Sequence, residues 1–562
     1  MTPPSEASAA NARLDWAAVA FALGIFAFAS FLSSQSTLFD RDEPRFAEAA
    51  VEMLGSGNWL YPTFDLELRP DKPILVYWLM AGALKVFGVT AWAARFWSPV
   101  FLAFACWLTF RIAKRLFDER TGLLAMGLLA VAPLALVEGT VATTDALLLA
   151  CTTGAMAAFV ALIQDGPSLV RYAGIAFFVG LAQLAKGPVG LVIPLLSIAF
   201  ALWFMRMERL PKGFQPKRIW WALVASVVVF LVWAIPANNA THGEYAARGL
   251  GHHVVDRVSG PLEGHGGGYF LWLPLYVPVV VVGFLSAAML LPGACRALFE
   301  ESAWNTKSRG VLIGWTLPCF LLMTFVPTKL PHYVLPIFPG VALACAALVG
   351  AAERDELSDS ERAWLGSGTW IFAAVALLVA AAGVLAPYQL GIDALSTPSI
   401  VVTVLIGITT LTAMRLHRRG KFRRAAWVVV VGLAATWAAA VVLVMPIVER
   451  TKLSPAIASA IHSHVPRSVP VARWKYSEPS LDFLLGRAPI RDFDDEAKFR
   501  EWAAESTPAV LVIPRDKLES LRDVLPESRY VEIARSQGLN LSKGAPIELV
   551  ALGRELPTTG TR

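Results

Sequence analysis

The sequence predicts a polytopic α-helical membrane protein of about 13 spans, followed by a small C-terminal α/β domain. Three observations carry this expectation. The 562 residues are 56% hydrophobic and only 16% charged, against roughly 45–50% and about 25% in an average soluble domain. About 13 apolar stretches approach or reach the roughly 17–25 residues that a spanning helix needs. After Pro446 the long runs stop, and short apolar segments alternate with helical patterns. This composition excludes a soluble enzyme with an ordinary surface and a disordered chain. The net charge of +6 is too small and too spread out to point to nucleic acid.

The elements follow in order. The polar N-terminus up to Asn11 is expected to be disordered, and residues 16–32 lack the basic flank of a cleaved signal, so they read as a retained first span. Spans are expected near 16–35, 92–113, 121–138, 143–163, 172–185, 188–205, 219–238, 270–293, 309–326, 332–351, 367–387, 398–415 and 425–447. The stretch Pro73–Gly88 is about one turn too short. Charge decides its place: with 73–88 outside the count and the N-terminus cytoplasmic, the inner loops carry 21 Lys and Arg and the outer loops 10, as the positive-inside rule requires. Residues 73–88 then form an amphipathic helix at the outer interface. Residues 1–447 make a transmembrane domain whose first outer loop is 36–91. Residues 448–562 make an α/β domain, with strands at Val469–Trp474, Ala509–Ile513 and Ile547–Leu552 and helices at Asp494–Ala504 and Arg515–Leu525. The odd number of spans puts this domain outside. The five cysteines show no CxxC spacing and read as small buried hydrophobes.

The outer loops hold the chemistry. Asp42-Glu43-Pro44 opens a helix, since carboxylates suit a helix N-terminus and proline its first turn. Arg69-Pro70-Asp71-Lys72-Pro73 pins Lys72 between prolines and leads to Tyr77. Glu138 to Asp145 carries two acids and no base, and Asp145 is a candidate N-cap of the next helix. Ala185-Lys186-Gly187-Pro188 is a hairpin with a cation at its tip. Residues 239–269 hold four of the eight histidines, including His252 and His253 ahead of Arg257; such clusters can ligate a divalent ion, though no HExxH-type spacing is present. Lys329, His332 and Tyr333 sit in another proline-pinned turn. Carboxylates and cations gathered on one side of a membrane suit a lipid-borne phosphate beside a group that needs deprotonation.

The motifs Asp-Glu-x-Arg-Phe-Ala-Glu (42–48), Asp-Lys-Pro (71–73), Thr-Asp-Ala (144–146), Ala-Lys-Gly-Pro (185–188) and Lys-Leu-Pro-His-Tyr-Val-Leu-Pro (329–336) together resemble one family. It is the polyprenyl-phosphate-sugar-dependent glycosyltransferases of the GT-C class. Its nearest branches are the bacterial 4-amino-4-deoxy-L-arabinose lipid A transferases and the dolichyl-phosphate-mannose protein mannosyltransferases. The resemblance spans the whole chain. It implies Asp42, with Glu43 and Asp145, as catalytic carboxylates. It implies Lys72, Lys186, Arg257, Arg45 and Lys329 at the donor phosphate, and Tyr77, His332 and Tyr333 lining the cavity. Asp71, where relatives often have Glu, and His252 or His253 would hold a divalent metal, the one cofactor implied. The implied enzyme is a monomer of the bacterial inner membrane with its N-terminus cytoplasmic and its C-terminal domain periplasmic. It moves a sugar from a polyprenyl phosphate to lipid A, lipopolysaccharide or another envelope acceptor, among membrane lipids and without nucleic acid. A protein O-mannosyltransferase is the alternative enzyme. A lipid-linked sugar flippase is the alternative outside catalysis, for which internal repeats and midplane charges would be expected.

Overall fold

The computed structural model describes residues 6–40, 42–205, 210–249, 251, 272–300, 303–486, 489–493, 495–540 and 545–556. Its longer helices, up to residue 443, are α1 (Glu6–Ser33), α2 (Asp42–Ser56), α3 (Leu75–Phe87), α4 (Trp97–Leu116), α5 (Glu119–Ala130), α6 (Asp145–Gln164), α7 (Leu169–Lys186), α8 (Val189–Met205), α9 (Pro216–Ala240), α10 (Thr306–Phe325), α11 (Phe338–Glu353), α12 (Asp359–Leu390), α13 (Ser396–Arg418) and α14 (Phe422–Leu443). Ten helices among the described residues are long and apolar enough to cross a bilayer, so the chain is a multi-pass membrane protein.

The other three expected spans are short or broken. The stretch 121–138 stops at Ala130 and restarts as Pro133–Glu138, because Pro133 has no N–H to continue the ladder. The stretch 270–293 breaks after Gly283 into a 3₁₀ turn at Leu285–Ala287 before a helix at Leu291–Phe299 opens with Pro292. The third is α8, a helix of 17 residues. At the N-terminus the expected disorder up to Asn11 is also corrected: the helix begins at Glu6, in an alanine-rich segment of high helix propensity.

The chain divides into two compact units. The first comprises Met1–Ser33, Pro70–Val76 and Arg95–Val444. Its core gathers around Phe110, Phe159, Trp315 and Phe338, all fully buried. Small residues let its helices touch backbone to backbone: a Cβ on Gly190 would lie 2.2 Å from the Ala182 carbonyl, and one on Gly314 would lie 2.3 Å from Ala201 N.

The second unit comprises Ser34–Arg69, Tyr77–Ala94 and Met445–Arg562. A two-stranded ribbon, β1 (Thr63–Phe64) with β2 (Glu67–Leu68), lies in its first segment. Its last segment runs α15 (Leu453–His464), β3 (Val471–Trp474), α16 (Pro479–Leu485), β4 (Arg491–Phe493), α17 (Glu496–Ala504), β5 (Ala509–Pro514), β6 (Tyr530–Asn540) and β7 (Ala545–Arg554). The sheet order is β4-β3-β5-β7-β6, parallel on either side of β3 and antiparallel at β5–β7 and β7–β6. Central β5 is buried on both faces. Val510 and Val512 meet Ile457 and Leu481 on one side, while Leu511 and Ile513 meet Phe499 and Trp502 on the other, which is why its sequence is an unbroken apolar run.

Most of the first outer loop, assigned from the sequence to the membrane domain, is grouped here with the C-terminal sheet, while Pro70–Val76 stays with the first unit. The Asp40 carboxylate accepts from Ser480 N at 2.7 Å and Ser480 Oγ at 2.5 Å. Lys452 Nζ donates to Thr37 O at 3.0 Å, and Thr37 Oγ1 donates to Glu449 at 2.8 Å. These polar ties, unreadable from hydropathy, join the two segments. The five cysteines are free; four are buried and Cys295 is exposed.

Candidate active site

The first unit holds a cavity of about 570 Å³ whose lining is apolar on one side and charged on the other. Val192, Ile193, Phe230, Leu231 and Ile235 form the apolar wall, and Asp71, Lys72, Lys186, His332 and Tyr333 form the polar end. This is the usual build of a ligand pocket: apolar bulk for affinity with a few placed polar groups for orientation.

Lys186 is the last residue of α7, and Asp145 is the first of α6, after Thr144 at the N-cap. Their side chains meet at 2.5 Å (Nζ to Oδ1) and are 11% and 7% exposed. A carboxylate at a helix start and an ammonium at a helix end each complement the local dipole. Gly187 follows at φ +65°, and Gly190 lets α8 return against α7, so the hairpin holds the amine at a fixed point. Lys186 Nζ also lies 5.6 Å from the centroid of the Tyr333 ring. His332 packs edge-on to Tyr333 at 5.2 Å, with Nδ1 3.8 Å from Glu138 Oε1. Thr143 Oγ1 donates to the other oxygen of Glu138 at 2.9 Å.

Lys72 is fixed through its backbone. Tyr245 OH donates to Lys72 O at 2.7 Å, and Tyr245 is itself packed edge-on against Trp233 at 5.4 Å. Gly249 approaches Pro70 so closely that a Cβ would lie 2.9 Å from Pro70 O. The amine of Lys72 reaches Asp71 O at 3.2 Å.

Some expected residues do other work. Lys329 is not at the polar end: its amine donates to Met323 O at 3.0 Å and to Thr324 O, closing the last turn of α10, and burial holds it below the ordinary lysine value. Tyr77 is no cavity wall but fully buried in the second unit, accepting from Arg69 Nε at 3.3 Å and packed on Phe46 at 5.6 Å. Glu43 is buried too, and its carboxylate accepts the Phe39 N–H at 2.8 Å. That fixes the turn before α2, a structural task for a residue expected to be catalytic. Asp42 is exposed at the first position of α2, and Arg45 is half-buried on the same helix. His252, His253 and Arg257 lie outside the described residues.

Sequence reasoning missed Tyr245, Trp233 and Gly249, which hold the Lys72 turn. It also missed a buried carboxylate cluster in the second unit. There Arg473 bonds Asp482 at 2.6 Å, Asp492 at 3.0 Å and Asp65 at 3.5 Å. Burial pushes Asp482 up to about 7 and Glu48 up to about 8, and raises Asp65. Glu48 stood in the first motif, and its six-residue offset from Asp42 could have signalled an inward-facing acid.

The fold is of the GT-C class, and its relatives can be named. Residues 71–235 match the family model described as dolichyl-phosphate-mannose-protein mannosyltransferase. An undecaprenyl phosphate-alpha-4-amino-4-deoxy-L-arabinose arabinosyl transferase of Aeromonas salmonicida is 29% identical over 366 residues, 63% of each chain. Its Erwinia tasmaniensis counterpart is 28% identical over 377 residues, 66% of this chain and 65% of that one. The matched region thus spans somewhat under two thirds of these relatives. Among solved structures, ArnT from Cupriavidus metallidurans in the apo state superposes with a TM-score of 0.75 at 21% identity, covering 97% of this chain and 98% of that one. The same protein bound to undecaprenyl phosphate gives 0.74 at 20%, covering 95% and 97%. The resemblance expected from the five motifs is therefore present in sequence and in fold.

Proposed function

We propose that the protein is an integral-membrane, inverting glycosyltransferase that moves a sugar from a polyprenyl phosphate to lipid A, lipopolysaccharide or a related envelope acceptor. The observation that carries this reading is the cavity: an apolar wall suited to a prenyl chain ends at Lys72 and Lys186, cations fixed through the backbone and through a hairpin. The named relatives act with undecaprenyl phosphate sugars, which supports the donor class. The excess of basic residues in the inner loops supports a cytoplasmic N-terminus and chemistry on the periplasmic face of the bacterial inner membrane.

In this reading the acceptor oxygen attacks the anomeric carbon, the bond from that carbon to the phosphate oxygen breaks, and the polyprenyl phosphate leaves with the added charge. Lys72 and Lys186 stabilise that charge, and Asp145 keeps Lys186 in place. A hydroxyl acceptor also has to lose a proton to a base, the role that the resemblance assigns to Asp42. A phosphate acceptor requires no base. Of the residues expected at a divalent ion, only Asp71 lies among the described ones. One carboxylate does not make a metal site, so no step is routed through a metal.

The test is a deletion strain, complemented with wild type or Lys186→Met, compared by mass spectrometry of lipid A, lipopolysaccharide core and glycoproteins. A sugar mass lost on deletion and restored only by wild type supports the reading. The match of residues 71–235 to a mannosyltransferase model favours one second reading, protein O-glycosylation. In that case the missing mass falls on glycoproteins. No change in any fraction overturns both.

A further inference from the structure

One groove outside the candidate active site combines an apolar wall with unmatched positive charge. Helices α13 and α14 are joined by a tight turn in which Gly420 has φ +71°. Between them runs a groove of about 790 Å³, walled by Ile408 and Leu416 from α13 and by Trp427 and Val431 from α14. At one end the helices touch, so that a Cβ on Gly432 would lie 2.2 Å from Thr409 Oγ1. At the other end lie Arg423 and Arg424.

These two arginines differ. Arg423 Nε donates to both oxygens of Glu353 at 3.0 and 2.9 Å, and its Nη1 donates to Arg120 O at 3.1 Å. The side chain of Arg424 makes no hydrogen bond, ion pair or ring contact among the described residues, and the same holds for Arg415 in the last helical turn of α13 and for Arg419 and Lys421 between the helices. Partly or fully exposed arginines of the second unit are answered by carboxylates instead: Arg500 by Asp523, Arg529 by Glu555 and Arg535 by Glu532. Lys421 at the N-cap of α14 offers no side-chain acceptor to the first-turn amides, which leaves them for an anion.

We propose that this groove is a binding site for one anionic phospholipid, its phosphate on Arg424 and Lys421 and one acyl chain along Ile408, Trp427 and Val431. Charge complementarity selects the occupant. Guanidinium and phosphate form short, charge-assisted, often bidentate hydrogen bonds. A lipid supplies that phosphate already attached to a chain that fits the apolar wall. The volume falls within the about 300–1,000 Å³ of small-molecule pockets. The proposal is independent of the transferase reading.

The experiment uses the full-length protein in mild detergent, incubated with phosphatidylglycerol or with phosphatidylcholine of the same chains, and counts retained lipid by native mass spectrometry. One phosphatidylglycerol is expected to survive under conditions that strip phosphatidylcholine. Arg424→Gln lowers its retention about fivefold, the weight of one basic residue near an anionic lipid surface. Val431→Trp, at a position 64% exposed and therefore tolerant of bulk, fills the groove and also lowers retention. Arg418→Gln serves as the control, because that guanidinium sits over the Trp370 ring at 4.9 Å and not in the groove; it leaves retention unchanged. Equal retention of the two lipids, an unaffected Arg424→Gln protein, or equal losses from Arg424→Gln and Arg418→Gln would each overturn the proposal.

Discussion

Glu48→Gln isolates the electrostatics of the second unit. Glu48 is 2% exposed, and its Oε2 has no hydrogen-bond partner among the described residues. It shares its surroundings with Glu52 on α2, Asp65 in the β1–β2 turn and Asp482 on α16. Among the described residues the cation of the cluster, Arg473 on β3, is occupied by Asp482, Asp492 and Asp65. Burial first, and then the charges of Asp482, Glu52 and Asp65, push Glu48 from its ordinary 4.5 up to about 8. The fold therefore favours the neutral acid, whereas the unfolded chain releases the proton near 4.5. The resulting stability is fully present below about pH 4.5, and it is lost as pH rises through about 8. At about 1.36 kcal/mol per pH unit, the gap amounts to roughly 4–5 kcal/mol across that window.

Glutamine keeps the shape and removes the titration. In full-length protein, amide hydrogen exchange of α2, β3 and α16 reads the local opening free energy after correction for intrinsic rates. Wild-type protection should fall between about pH 5 and 8 and level off above that. The Gln variant should fall by less, and should gain on wild type as the pH rises. Asp482, pushed up to about 7, continues to titrate in the variant and leaves a smaller slope at lower pH. Parallel pH profiles for wild type and Glu48→Gln would refute the assignment, because the carboxyl would then already be ionised at neutral pH.

Three further outcomes are expected. Lys186→Met should reduce sugar transfer in reconstituted vesicles by roughly 10²–10³-fold, the usual cost of removing a group that stabilises transition-state charge; transfer within threefold of wild type would remove Lys186 from the site. Tyr245→Phe deletes the hydrogen bond to Lys72 O. At about 1 kcal/mol it should raise the donor KM about fivefold and leave the folded fraction unchanged, read by transfer kinetics against size-exclusion profiles. Gly190→Val places a side chain against the Ala182 carbonyl, where even a Cβ lies at 2.2 Å. It should destabilise the α7–α8 hairpin by about 1–3 kcal/mol and lower the thermal midpoint in detergent, whereas an unchanged midpoint would mean that the two helices can part.

What was legible in the sequence depended on the range of the physics involved. Apolar runs and the turn at 187–188 are local signals, and they placed α4, α6, α7 and α10 to within a few residues. The breaks at Pro133 and Pro292 were visible as prolines, but only packing decides between a kink and a stop. Strand β6 was missed because YVEIARSQGLN alternates weakly and exposes Glu532 and Gln537 at a sheet edge. At the candidate site, residue type and proline context picked out Lys72, Lys186 and Lys329 alike. Their difference is one of partners: Lys186 meets a carboxylate and Lys329 meets helix carbonyls. Those partners lie 41 residues from Lys186 and six from Lys329, and only the first distance is beyond local reading. Glu43 shows the converse. Its motif drew a catalytic expectation, but burial turns it onto the Phe39 N–H.

The partners of the two cavity lysines also bear on how the proposed reaction would be driven. A polyprenyl phosphate sugar carries one negative charge on its diester, and the leaving phosphate gains a second as the anomeric bond breaks. A group that grips both states equally accelerates nothing; catalysis needs a cation whose hold strengthens with the new charge. Lys72 Nζ donates to a backbone carbonyl, Asp71 O, at 3.2 Å, and in the proposed reaction its charge would meet the incoming diester. Lys186 is already held by Asp145 at 2.5 Å in a site where both side chains are about nine-tenths buried. Such a pair is costly to break, and a monoanion competes poorly for the ammonium. A dianion competes better, so the gain at Lys186 is concentrated late, as the leaving group charges. In the proposed reaction Asp145 would thereby make Lys186 selective for the transition state, a role that requires a carboxylate at that helix start and no proton transfer to it.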